Sequence, residues 1–171
     1  AVVDPSRRRH VRSVPLARSV VDAQRLPGGL ALLLGDEGSF GAATLAVVDA
    51  EGAVRAATLD KISIGRTVGG QGRIEARSPG LAVDTAGGRA FVVGADFTIA
   101  EVDLDTLRVA YHGGSARSLA KELHGPQRYA VWLGDGILAV SGSDYAGDET
   151  RGTPLGLRLV YLEPLLGDGG R

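Results

Sequence analysis

Gly80-Leu-Ala-Val-Asp84, Arg89-Ala-Phe-Val-Val-Gly94 and Thr98-Ile-Ala-Glu-Val-Asp103 follow one another in a single stretch of the chain. Short apolar runs, β-branched in places and bounded by Gly and Asp, form strands joined by tight turns rather than helices. Ala86-Gly87-Gly88 supplies one turn and Asp103-Leu-Asp-Thr106 another. Beyond the second turn, Leu107-Arg-Val-Ala-Tyr111 alternates apolar and polar residues, the signature of a strand with one face in water. The inner runs do not alternate, which is expected of strands buried on both faces. Residues 78–112 are therefore predicted to form a four-stranded antiparallel meander.

The pattern recurs on both sides. Gly29-Leu-Ala-Leu-Leu-Leu-Gly35 is followed by Thr44-Leu-Ala-Val-Val-Asp49, and Ile137-Leu-Ala-Val-Ser-Gly142 by Gly156-Leu-Arg-Leu-Val160. Each run that ends in Gly has a strand-like segment upstream: Ser19-Val-Val-Asp22, Gly80-Leu-Ala-Val-Asp84 and Arg128-Tyr-Ala-Val-Trp132. Gly35, Gly94 and Gly142 lie 59 and 48 residues apart, a period of propeller-blade size with loop insertions. A β-sandwich also uses short strands, but it does not call for this recurrence. The predicted fold class is all-β, with about three four-stranded β-propeller blades over 14–59, 78–112 and 128–162 in one partial domain. The third unit has Tyr161 where an Asp turn is expected and no clear fourth strand after it.

Ser78-Pro-Gly-Leu-Ala-Val-Asp84, Arg89-Ala-Phe-Val-Val-Gly94 and Glu101-Val-Asp-Leu-Asp-Thr-Leu107 together resemble one blade of the bacterial YVTN-type β-propellers, which are related in shape to the quinoprotein amine dehydrogenase β-chain. The resemblance covers 78–112 well, 14–59 more loosely and 128–162 in part. It implies a ring of seven blades and an extracellular or cell-envelope scaffold. It speaks to fold and is nearly silent on activity.

Composition narrows the function classes. The 171 residues carry 19 basic and 20 acidic side chains, a net charge of −1, so no overall field favours nucleic acid or a membrane surface. No apolar run approaches the roughly 20 residues needed to span a bilayer. The absence of Cys removes disulfides, thiolate metal sites and cysteine nucleophiles. With 26 glycines, Gly and Asp carry the turns.

Loops on such a scaffold are where function resides. Three are long: residues 60–77, a Gly-rich connector; residues 113–127, with two helical turns expected over 117–123; and the polar insertion 143–154. In that insertion Asp144, Asp148 and Glu149 are candidate binding residues, although their spacing is not that of an EF-hand. His112 and His124 complete the candidate set. Neither has metal-ligand spacing, and no Gly-x-Ser-x-Gly elbow accompanies them. The run Gly65-Arg-Thr-Val-Gly-Gly-Gln-Gly72 lacks the ending of a phosphate loop and is expected to be a flexible link. Arg7-Arg-Arg-His-Val-Arg12 has no aromatic residue to stack a base and is expected to be a frayed, solvated terminus. Trp132 is expected in the core.

The residues thus predict a non-catalytic binding or scaffold segment, with no cofactor and no metal. The alternative is an enzyme whose catalytic groups lie on other blades. Leu32, Val92 and Ala139 are expected to face the apolar layers between sheets. Three blades do not close a ring, so the remaining blades, a second copy or a partner protein is expected to cover the open faces.

Overall fold

The computed structural model describes residues 2–4, 9–36, 38–68, 74–113, 127–143, 157–163 and 165–166. Its elements are all strands: β1 (Val2–Asp4), β2 (Arg9–Arg12), β3 (Ser19–Leu26), β4 (Gly29–Gly35), β5 (Phe40–Asp49), β6 (Val54–Val68), β7 (Ile74–Arg77), β8 (Gly80–Asp84), β9 (Arg89–Val93), β10 (Ile99–Asp103), β11 (Val109–His112), β12 (Gln127–Gly134), β13 (Ile137–Ser143) and β14 (Leu157–Tyr161). After the β1–β2 hairpin come three antiparallel meanders: β3–β4–β5–β6–β7, β8–β9–β10–β11 and β12–β13–β14. Among the described residues no helix is long and apolar enough to cross a membrane.

The meanders stack face to face. Between the first and second sheets, Leu33, Leu45, Leu59, Ile62 and Ile64 meet Leu81, Val92, Ala100 and Val102. Between the second and third, Phe91, Val93, Phe97 and Ile99 meet Leu138, Val140 and Val160. The second sheet is thus buried on both faces, which is why β9 and β10 read as unbroken apolar runs. Val92 lies in the first of these layers. Leu32 sits on the outward side of the first sheet, with Leu34, Ala46 and Val48 under Val14 and Leu16. Ala139 pairs with Val131 and Leu159, both exposed, and so shares the outward side of the third sheet.

Leu32 and Ala139 thus do not face the layers between the sheets as expected, because the strand alternation sends them to the outward sides; two further expectations are corrected. The 60–77 connector is largely sheet: β6 runs on through Val68, and β7 pairs with it from Gly65↔Arg77 to Val68↔Ile74. The cause is a bulge. Ala43 pairs with Leu59 but Ala42 with Ser63, so the extra residues between turn Ile62 into the core and the strand resumes beyond it. Among the described residues the first sheet therefore has five strands where four were expected, and the third has three. Likewise Arg9–Arg12 is not a frayed end, because it forms β2 and pairs with β1, His10 opposite Val3. The helix expected over 117–123 lies outside the described residues.

The hairpin turns use Gly and Asp as the sequence suggests. Gly52, at φ 87°, closes the β5–β6 turn with its N–H on the Asp49 carbonyl at 3.0 Å. The corresponding turn after β10 places Leu107 at φ 59°. There the Asp103 carboxylate accepts the amides of Asp105 and Thr106 at 3.1 and 2.7 Å. The Thr106 amide, chief among these groups, holds the Asp103 carboxyl below the usual range.

Candidate functional site

The first strands of the three sheets are neighbours. The Gln24 side chain donates to the Leu81 carbonyl and Asp22 accepts the Leu81 amide, each at 3.3 Å, tying β3 to β8. Ser78 makes a parallel bridge to Gln127, and the Arg128 amide donates to the Ser78 carbonyl at 2.8 Å, tying the approach to β8 to β12. A Cβ on Gly80 would stand 2.9 Å from the Ala130 nitrogen, so only glycine lets β12 approach this closely. Arg128, buried between the second and third sheets, donates to the Gln127 carbonyl and to that of Ala95. Burial lowers its pKa, and Asp96 partly offsets this.

At the end where these strands begin, a cleft of about 450 Å³ opens. Its polar lining comes from Ser19, Asp36, Arg66, Arg77, Ser78 and Gln127. Ser19 starts β3, Ser78 precedes β8 and Gln127 starts β12, so each sheet contributes at the same end. Asp36 is held by Arg18 at 2.6 Å, and Arg18 also donates to the Ala42 carbonyl at 2.7 Å. Arg77 lies over the Phe40 ring, 5.0 Å from its centroid, and donates to Ser63 Oγ at 3.1 Å. Gly35, at the end of β4, forms part of the wall, and a Cβ there would lie 2.9–3.1 Å from three atoms of Ile64. Hydroxyl, amide, guanidinium and carboxylate groups together can donate to and accept from a polar ligand.

A second polar constellation is interior. Glu101, fully buried on β10, lies 2.9 Å from His112 Nε2 and 3.6 Å from Arg89 Nη1. It also accepts the amides of Leu165 and Leu166 at 3.0 and 3.3 Å. Arg89 reaches Asp84 at 2.8 Å. Phe91 lies beside this group, with Trp132 stacked on it at 4.8 Å and 17°. Trp132 is thus part of the packing between the second and third sheets. These charged side chains all belong to the second sheet, so they lock it internally and pin the segment after β14.

Of the sequence candidates, His112 is placed in this interior network, away from the cleft. Asp144, Asp148, Glu149 and His124 lie outside the described residues. Sequence reasoning missed Glu101, although a carboxylate inside the apolar run Ile99–Val102 was a usable signal. It also missed the cleft residues, which lie on three sheets and come together only through stacking. Scans against protein-family models, characterised proteins and solved structures find no match to this chain.

Proposed function

We propose that this chain is a non-catalytic binding scaffold built of propeller-type blades, part of a larger ring, that meets a polar ligand where its first strands begin. The observation that carries the reading is the convergence of Ser19, Ser78 and Gln127, one from each sheet's leading end, on one cleft. Propeller blades place their innermost strands side by side around a central channel, and the adjacency of β3 to β8 and of β8 to β12 supports that reading. The alternation of meander and buried layer supports the same reading. Further sheets would join at the open side of the third sheet, from remaining blades, a second copy or a partner protein.

The test is a thermal-shift panel of peptides, oligosaccharides and small anions on the wild-type chain and on an Arg66→Ala/Arg77→Ala variant. At least one class is expected to raise the wild-type melting temperature and to lose that effect in the variant. Turnover of any panel member, abolished by the Arg66→Ala/Arg77→Ala variant, would move the protein to the enzyme class. Failure of every class to shift the melt would remove the cleft as a ligand site.

A further inference from the structure

The outward face of the third sheet is apolar across its width. Cross-strand pairing aligns Tyr129 with Ser141 and Leu157, Val131 with Ala139 and Leu159, and Ile137 with Tyr161. Tyr129, Val131, Leu157, Leu159 and Tyr161 are 50–75% exposed, with Leu133 open beside them. Their partners on the other side of the same strands, Ala130, Leu138, Val140 and Val160, are buried against the second sheet. The third sheet thus has the two apolar faces of an internal layer, with one of them uncovered among the described residues. Six side chains of this size expose on the order of 700 Å² together, close to the roughly 800 Å² per partner of a standard interface and above the patch usual on a soluble monomer.

We propose that this face pairs with the same face of a second copy of the chain, across a two-fold axis. The aligned rows carry no charged side chain, so two copies of the face meet without repulsion or buried unpaired charge. The opposite end of the stack differs. On the outward side of the first sheet, Leu32, Leu34, Ala46 and Val48 are already covered, with Val14 and Leu16 packed on them, while Leu30 and Val54 beside Val48 are 41–42% exposed. A head-to-tail arrangement would have to displace that cover, whereas like-to-like pairing of the third sheets leaves it in place. One partly covered end and one open end make a closed pair, not a filament. The inference narrows the choice of partner left by the functional reading but rests on the exposed apolar face of the third sheet, and the ligand panel is independent of it.

The experiment is light scattering and sedimentation on the 171-residue chain over a hundredfold range of concentration. Twice the chain mass is expected, falling to the single-chain mass on dilution. Leu159→Lys should give the single-chain mass at every concentration with an unchanged β-sheet circular dichroism spectrum. Because the chain has no Cys, Leu159→Cys and Val54→Cys give clean reporters of the two outward faces. The first should oxidise to a covalent dimer many times faster than the second. A monomer throughout, open-ended growth with concentration, or equal oxidation at the two positions would overturn the proposal.

Discussion

His112 Nε2 lies 2.9 Å from a carboxylate oxygen of Glu101, and the Glu101 side chain has no contact with solvent. The pair links the last strand of the second sheet to its neighbour, while the same carboxylate accepts the amides of Leu165 and Leu166 from beyond the third sheet. A buried charge satisfied from several sides is neutral in cost at best, yet it becomes very costly to break.

Glu101→Ala is therefore expected to destabilise the chain by about 3–5 kcal/mol, because it strands His112 and two backbone amides and leaves Arg89 with Asp84 alone of its two carboxylates. His112→Ala should cost less, about 1–3 kcal/mol, since Arg89 and the amides still face the carboxylate. Urea denaturation of both variants followed by circular dichroism checks the order. Equal and small losses would show that the network carries no load.

Tyr111 should titrate late. Burial, followed by its hydrogen bond to Asp60 at 2.5 Å, pushes its hydroxyl up to about 12 from the usual value of 10.0. A raised folded-state pKa means that the proton is held more tightly in the folded chain. The resulting stabilisation is full below the unfolded pKa and is lost as pH rises from about 10 to about 12. Of the four tyrosines, Tyr111 is expected to supply a late step in the 295 nm absorbance titration. Tyr111→Phe should remove that step and leave the rest of the curve in place.

At Gly35 the constraint is space. Gly35→Ala drives a methyl group into Ile64, at a cost of about 1–3 kcal/mol. Adding Ile64→Ala in the same chain removes all three clashing atoms and should recover part of that loss, and thermal melts of both single variants and the double variant test the compensation. Additive losses would place the clash elsewhere.

Val92→Asp puts an unpaired carboxylate between the first two sheets. The expected cost is several kcal/mol, comparable to a domain stability of roughly 5–15 kcal/mol, so the variant should lack a cooperative melt. An unchanged melting curve would remove Val92 from the buried layer.

The strands themselves were legible in the sequence. Leu30–Leu34, Arg89–Val93 and Ile137–Val140 are runs whose length and Gly boundaries allow little but strand, and they form β4, β9 and β13. The continuous apolar character of β9 announced burial on both faces, because a strand with one wet face must alternate. The meander order followed from the short turns, which join neighbours antiparallel.

Pattern alone could not decide what depends on partners distant in the chain. Asp60 and Lys61 interrupt the apolar run after Leu59 and read as the start of a loop, yet the bulge opposite Ala42 and Ala43 carries the strand past them. Leu32 and Leu33 are equally apolar, and only stacking sends Leu33 into the layer between sheets and Leu32 to the outward side. Ser19, Ser78 and Gln127 are unremarkable polar residues until three sheets bring their leading ends to one cleft. Local sequence determined the strands, the turns and the two-faced burial, because side-chain period and turn chemistry act over a few residues. Which faces meet, which stays open and what lines the cleft were decided by tertiary stacking, because those contacts join residues up to about a hundred positions apart.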